Sequence, residues 1–180
     1  MIFESVHWKE PLLASSERLR RSMALLEWGE DGYAQFERDV FIGFYTIRKL
    51  LEAVGKLSRS TIESRHRLLW FPKKPEAPPV DWYNRTEIWD LYELECKHGE
   101  NRDLLYFSNR IIHSFVFIPS AAGFGDPEGF FFTSDIEKEK RLCFLQTTDV
   151  ITMFEMVGSD YPEKLGAWRD AKTGEMKWST

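Results

Sequence analysis

YAQFERDVFIGFYTIRKLLEAVGKLS, residues 33–58, is the strongest periodic stretch of the sequence. Its apolar residues recur at steps of four and three, which places them on one side of an α-helix. Phe41, Tyr45 and Leu50 widen this stripe, so we expect the helix to be covered on more than one side. The stripe itself comprises Val40, Phe44, Ile47, Leu51 and Val54.

Helical patterns also occur on both sides of this stretch. Residues 15–29 begin with two serines that can cap a helix and end at a glycine. Residues 102–117 and 149–160 predict two more helices, the first of them apolar on most sides. We expect the predicted helices to share one core, in which the following residues are buried against one another: Val40, Phe44, Ile47, Leu51, Leu105, Ile111, Ile112 and Phe115.

The middle of the chain contains weaker patterns. Residues 58–71 predict a further short helix, and four prolines within residues 72–79 predict an irregular connection. A short helix begins near Thr86, and residues 95–101 have the polar composition of a loop.

The pattern changes after residue 129. Two short apolar runs surround the charged turn IEKEK within residues 130–147, which predicts an antiparallel hairpin. Residues 166–180 form a polar C-terminal tail with a turn at 172–175. The sequence therefore predicts a mainly α fold, a helical bundle with a small appended antiparallel β-hairpin, in a single domain spanning residues 1–180.

Composition limits the classes of function. The chain has 180 residues, of which 43% are hydrophobic and 15% aromatic, and this excludes disorder over most of its length. A formal net charge of -5 argues against broad, sequence-independent binding to nucleic acids, although it leaves room for a local basic patch.

Two cysteines, Cys96 and Cys143, are too few and too far apart for a zinc site or a disulfide framework, so we expect free thiols. We expect neither a metal nor another cofactor. The N-terminus lacks the pattern of a secretory signal, and no run is long enough to span a membrane. These features predict a soluble, cytoplasmic protein without membrane contact.

An apolar helix pair with Arg48 and Glu52 on its second helix, followed by a helix containing Asn109 and His113, resembles the HEPN superfamily. This superfamily comprises small bacterial and archaeal helical domains of toxin–antitoxin pairs, phage defence and nucleotide-handling proteins. The resemblance covers about residues 17–118. In active members an arginine and a polar residue precede the histidine on one helix. Here Asn109 and His113 match that motif, whereas the arginine is replaced by Ser108.

The replacement bears on chemistry. Metal-independent RNA cleavage needs a histidine to move a proton at the ribose and a cation to stabilise charge on the phosphate oxygens. Serine supplies no such charge. Arg110 follows closely in the sequence, but we expect it to point away from the side of the helix that carries His113.

Two interpretations of the motif remain. Asn109 and His113 form either a buried, hydrogen-bonded pair that specifies packing, or part of a ligand-binding or nucleolytic site. An open cleft with an arginine near His113 would favour the enzyme, and a closed core would favour a scaffold. The candidate binding residues around the pair are Arg48, Glu52, Arg110 and Tyr106, together with Arg65 and Arg67 from a basic stretch that contains aromatic residues.

We therefore predict a bacterial HEPN-like protein that acts as a non-catalytic binding or assembly module. The alternative is a metal-independent ribonuclease toxin or phage-defence effector. The resemblance implies a homodimer that pairs through the motif helices. RNA, a nucleotide and a partner protein are the candidate ligands.

Overall fold

A five-stranded antiparallel sheet organises the protein. The computed structural model describes residues 2–23, 29–120, 129–162, 166–170, 172–174 and 176–179. The elements are, in chain order, α1 (Val6–Ser22), α2 (Glu30–Glu52), α3 (Arg59–Ile62), β1 (His66–Pro72), α4 (Ile88–Leu91), β2 (His98–Arg102), α5 (Leu104–Ile112), β3 (Ser114–Ser120), β4 (Gly129–Ser134), β5 (Arg141–Gln146), α6 (Thr147–Gly158), β6 (Gly166–Arg169) and β7 (Met176–Ser179).

The strands of the main sheet lie in the order β2-β1-β5-β4-β3, and each neighbouring pair is antiparallel. Helices α1, α2, α5 and α6 pack on one face, which we call the helix face. Residues 73–95 cover the opposite face and bury Val80, Ile88 and Leu91 against it. The sheet is therefore buried on both sides, by regular helices on one and by an irregular segment on the other.

The expected mainly α bundle is wrong, because residues predicted as helix or loop form strands of this sheet. Residues 66–72 and 114–120 are strands β1 and β3. Since both faces of the sheet are covered, these strands have continuous apolar runs without a period of two, and such runs cannot be distinguished from helix by periodicity. The predicted loop at 95–101 contains most of β2, an edge strand whose polar composition suits its exposed position.

The end of helix α5 was also predicted incorrectly, because a strand follows where the helix was expected to continue. The prediction extended it to residue 117, but it ends at Ile112 and the chain turns at His113, where φ is -111° and ψ is 25°. The following Ser-Phe-Val-Phe-Ile run is rich in β-branched and aromatic residues, which favour a strand.

The first three residues of the predicted stripe are buried as expected, whereas Val54 lies beyond the end of α2 and is 56% exposed. Val40, Phe44 and Ile47 are fully inaccessible to solvent, as is Ile111 of α5. Leu51, Ile112 and Phe115 are only partly buried, and Leu105 is 47% exposed because it lies on the solvent side of the short helix α5.

Strands β4 and β5 lie where the hairpin was expected and pair antiparallel, but they are inner strands of the sheet rather than an appendage. The C-terminal tail contains a separate two-stranded sheet, β6–β7. Gly174, in the predicted turn, has a φ of 70°, a conformation that favours glycine. Among the residues that the structure describes, no helix combines the length and apolarity needed to cross a membrane.

Candidate functional site: a cleft at His113

A cleft of about 630 Å³ opens on the helix face, between α2, α5 and the turn that joins β4 to β5. It brings together five of the predicted site residues, contributed by two separate helices. The residues that line it are Arg48, Tyr106, Asn109, Arg110, His113, Ser134, Asp135 and Ile136.

His113 lies at the mouth of the cleft rather than in the core. It is the residue that ends α5, and its side chain is exposed. Nη1 of Arg48, on α2, lies 3.4 Å from Nε2 of His113. A guanidinium can only donate, so in this contact Nε2 of a neutral imidazole accepts. The hypothesis of a buried Asn109–His113 pair is therefore wrong for His113, whereas Asn109 is partly buried in the wall of the cleft.

A carboxylate orients the Arg48 guanidinium. Nε of Arg48 donates to Oε1 of Glu52 at 3.0 Å. Glu52 lies one helical turn after Arg48 on α2. The other carboxylate oxygen of Glu52 accepts from Lys49 at 2.8 Å. The hydrogen bond from Lys49, and to a lesser extent that from Arg48, lowers the pKa of Glu52 below its usual value. Glu52 thus remains an anion at neutral pH and holds Arg48 beside His113.

Arg110 lines the same cleft as His113, which corrects the expectation that it points away. The two residues are three apart at the end of α5, and this spacing places side chains on the same side of a helix. Nη1 of Arg110 donates to Oγ of Ser134 at 3.3 Å, and its Nε lies 3.4 Å from Oε2 of Glu137. Arg110 is 26% exposed, so its remaining donors can reach the cleft.

Ser108, where the resembled motif has arginine, faces the core. Its side chain is fully inaccessible, and its hydroxyl oxygen has no hydrogen-bond partner within the described part of the chain. A cation at this position would therefore be buried rather than presented to the cleft. The cations near His113 come instead from Arg48 and Arg110, and the first of these lies too far away in the sequence for a one-helix motif to include it.

A charged network behind Arg110 was not found from the sequence. Nη2 of Arg141, on β5, donates to Tyr106 Oη at 2.7 Å and to Glu137 Oε1 at 2.9 Å. Nη1 of Arg141 donates to Oε1 of Glu100, on β2, at 2.8 Å. The Tyr106 hydroxyl in turn donates to Oε2 of Glu137 at 3.2 Å. This network connects the sheet, the β4–β5 turn and α5, and Glu137 links it to Arg110.

Burial and hydrogen bonding oppose each other in this network. Burial alone would raise the pKa of Glu100, but hydrogen bonds and charge from Arg102 and Arg141 lower it. Burial raises the pKa of the Tyr106 phenol, which therefore stays protonated at neutral pH. Of Glu100, Tyr106, Glu137 and Arg141, the sequence indicated only Tyr106. The other three residues lie on different elements, so no spacing in the sequence relates them to it.

The remaining candidates lie elsewhere. Nη1 of Arg65 forms an ion pair at 2.9 Å with Asp103, which precedes α5. The Arg65 side chain is 59% exposed. Arg67 is exposed on β1. Neither residue lines the cleft, so the structure does not combine the basic stretch with the motif.

The two cysteines are free, as predicted. Burial raises the pKa of the Cys143 thiol to about 12, so this thiol is unreactive at neutral pH. Cys96 is exposed outside the cleft. Within the described ranges, no group of three or more His, Cys, Asp or Glu side chains is placed to hold a metal ion.

Comparison with known proteins identifies no relative: no family model matches the sequence, and neither a curated protein nor a solved structure is significantly similar to it. The resemblance to the HEPN superfamily therefore stays a prediction carried by Asn109 and His113. The helical bundle that it implied is replaced by an α+β fold with a five-stranded antiparallel sheet.

Proposed function

We propose that the protein is a binding module and that the cleft at His113 takes single-stranded RNA through its phosphodiester backbone. The observation that supports this proposal is the convergence of two guanidinium groups, from Arg48 on α2 and Arg110 on α5, on one open cleft. Arginine donates two parallel hydrogen bonds to phosphate oxygens, which makes it well suited to such a ligand.

The other lining residues complement this role. The amide of Asn109 can donate to a base edge or a phosphate, and the imidazole of His113 is open to solvent. Each guanidinium also contacts a carboxylate, Arg48 with Glu52 and Arg110 with Glu137. These two carboxylates offset the two guanidinium charges, and Asp135 also lines the cleft, so the preference for phosphate depends on the directed donors rather than on an excess of positive charge. We expect weak, salt-sensitive binding of a short stretch of RNA rather than broad coverage of a nucleic acid.

Fluorescence anisotropy with a labelled 12-nucleotide single-stranded RNA tests the proposal. Arg48→Gln and Arg110→Gln should each weaken binding about tenfold, the loss expected for one charge-assisted hydrogen-bonding group. Arg59→Gln is the matched control, because Arg59 is 78% exposed, is paired with Glu63 and does not line the cleft. Equal losses in all three variants would mean that RNA responds only to overall charge, and the proposal would be wrong.

A second candidate function, metal-independent RNA cleavage, is favoured by the open position of His113 beside Arg48. A neutral imidazole could take the proton of a ribose 2′-hydroxyl, whose oxygen would attack the adjacent phosphorus while the 5′-oxygen leaves with a proton from water. Arg48 and Arg110 would stabilise the additional charge on the phosphate oxygens. The products would be a 2′,3′-cyclic phosphate and a free 5′-hydroxyl.

Incubation of RNA with the protein in the presence of a metal chelator separates the two candidates. The binding proposal predicts no cleavage by the wild-type protein. Cleavage that is lost in His113→Ala but kept in His7→Ala, a change at another exposed histidine, would establish the second candidate instead. Because His113 is exposed, its replacement should change the free energy of unfolding by only about 0.5 kcal/mol or less, so that lost activity could not be attributed to unfolding.

We also propose that two copies pair through α2 and α5. These helices leave Ile42, Tyr45 and Leu105 exposed at 57%, 45% and 47%, and this apolar surface would be buried in such a pair. Light scattering at micromolar concentration should give the mass of a dimer, and a strict monomer would contradict this part of the proposal.

A further inference from the structure

A second surface differs from the cleft in both charge and composition. It is formed by residues 81–95, DWYNRTEIWDLYELE, which we call the 81–95 segment. The segment carries five carboxylates against one arginine, whereas the whole chain has a formal net charge of -5. Most of the excess negative charge of the protein is therefore concentrated on one short stretch of surface.

The 81–95 segment presents large aromatic rings to solvent. Trp82, Tyr83 and Trp89 are 66%, 90% and 66% exposed. Neighbouring side chains anchor the segment, because Ile88 and Tyr92 are fully buried against the sheet. Exposed aromatic rings on an anchored backbone are typical of interaction surfaces, since their burial by a partner costs little conformational entropy.

A hollow of about 550 Å³ lies beside Trp89. Its rim carries the carboxylates of Glu93 and Glu95, and neither of them forms an ion pair with any residue in the described part of the chain. Lys74 also lines the hollow, and its ammonium group donates to the backbone oxygen of Trp89 at 2.8 Å. An aromatic wall with two unpaired carboxylates is suited to a cationic side chain.

The segment already contains one such interaction. The guanidinium of Arg85 lies over the ring of Trp82, 3.5 Å from the ring centre. This contact shows the geometry in which a tryptophan of this surface holds a guanidinium. Trp89 is equally exposed, and the described residues place no cation over its ring.

We propose that the 81–95 segment is a docking surface for a basic segment of a partner protein, with an arginine or lysine side chain of the partner entering the hollow at Trp89. The sign of the charge selects this occupant. Five carboxylates repel the phosphates of RNA, and they attract guanidinium and ammonium groups. The proposal is independent of the function of the cleft, because it uses none of the residues there.

Anisotropy with a fluorescein-labelled peptide of alternating arginine and glycine tests the proposal, and a peptide with glutamine in place of arginine is the ligand control. The full-length protein should bind the arginine peptide and leave the glutamine peptide unbound. Trp89→Ala and the double change Glu93→Gln/Glu95→Gln should each weaken binding about tenfold, in line with the strength of cation–π contacts and close charge pairs. These side chains are not part of the core, so the far-ultraviolet circular dichroism should be unchanged.

Matched variants distinguish a built surface from general attraction. Glu4→Gln/Glu10→Gln removes the same charge from exposed positions elsewhere, and Phe3→Ala removes a ring that is 88% exposed. Both should keep the affinity within twofold. Equal weakening in these variants would overturn the proposal, as would tight binding of the glutamine peptide. A loss of RNA binding in Trp89→Ala would also overturn it, because the ring would then be a platform for bases.

Discussion

The charged side chains of the cleft at His113 are ion-paired, whereas carboxylates of the 81–95 segment are not. In the cleft and the network behind it, each arginine lies against a carboxylate: Arg48 against Glu52, Arg110 against Glu137, and Arg141 against both Glu137 and Glu100. On the 81–95 segment, Glu93 and Glu95 have no ion-pair partner among the described residues. Paired charges hold a fixed geometry, whereas the attraction of unpaired charges for a ligand is not offset by a neighbouring opposite charge.

This difference explains how one acidic protein can offer two surfaces of opposite preference. The cleft depends on donors that are positioned in advance, because the carboxylates reduce its net charge but fix the direction of each guanidinium. The 81–95 segment depends on charge excess and on exposed rings, which suit a flexible basic partner. The following predictions test this division, beginning with the largest expected effect.

Ser108→Arg should unfold the protein, because position 108 is in the core and the serine hydroxyl there has no hydrogen-bond partner among the described residues. An unpaired buried charge costs several kcal/mol, which is a large part of the stability of a domain. Asn109→Arg is the matched variant, since position 109 lines the open cleft, and we expect it to fold with a change of about 1 kcal/mol or less. Urea denaturation followed by circular dichroism measures both. A stable, folded Ser108→Arg protein would mean that this side of α5 is not buried.

Arg141→Gln should lower the free energy of unfolding by about 2–4 kcal/mol, because it leaves Glu100 and Glu137 with fewer partners in a site where the Arg141 side chain is 15% exposed. Arg59→Gln breaks an ion pair whose members are 78% and 61% exposed, and it should change stability by about 0.5 kcal/mol or less. Urea midpoints give both values. Similar small losses would show that the Arg141 network contributes little to the stability of the fold.

Glu52→Gln should weaken RNA binding about two- to fivefold, because the neutral amide holds the Arg48 guanidinium less firmly than the carboxylate does, and this loss of orientation outweighs the removal of one negative charge. The same substitution at Glu93 should leave RNA affinity unaltered. Anisotropy at low salt shows both effects. Stronger binding by Glu52→Gln would indicate that the net charge of the cleft matters more than the orientation of Arg48, and would contradict this explanation.

Glu100 should contribute a small acid-dependent stability. Its pKa is lowered in the folded protein, so the stabilisation is present above the pKa of the unfolded chain, near 4.5, and is lost as the pH falls through the lower folded value. The free energy of unfolding of wild type should therefore fall more steeply between about pH 5 and pH 3 than that of Glu100→Gln, by about 1 kcal/mol or less. Parallel curves would show that Glu100 has no net role.

Much of the local structure could be predicted from the sequence, because α2, α6 and the β4–β5 hairpin have clear local signals. Their apolar residues recur at helical spacing, or in two short runs around a charged turn. The sheet as a whole could not. Strand β1 is apolar on both faces, since residues 73–95 cover the side away from the helices, and β2 is polar because it is an edge strand. Only the tertiary arrangement reveals both causes.

The candidate site also combines residues with a local sequence signal and residues that only the tertiary structure brings together. Asn109 and His113 were found because they lie on one helix at a known spacing. The contribution of Arg48 depends on the packing of α2 against α5, and that of Arg141 on strand order, so neither contact is encoded at a fixed distance in the sequence. The same packing determines that Ser108 points into the core, where the resemblance alone indicated only a missing cation.

Amide chemical-shift mapping of the isotope-labelled protein, titrated with an eight-nucleotide single-stranded RNA, is the most direct test of the cleft as the RNA site. It reports on both surfaces in one titration. We expect shifts that saturate at Arg48, Asn109, Arg110 and His113, with residues 81–95 unchanged. Shifts concentrated in residues 81–95, or a cleft that stays unperturbed at high RNA concentration, would contradict the assignment of the cleft as the RNA site.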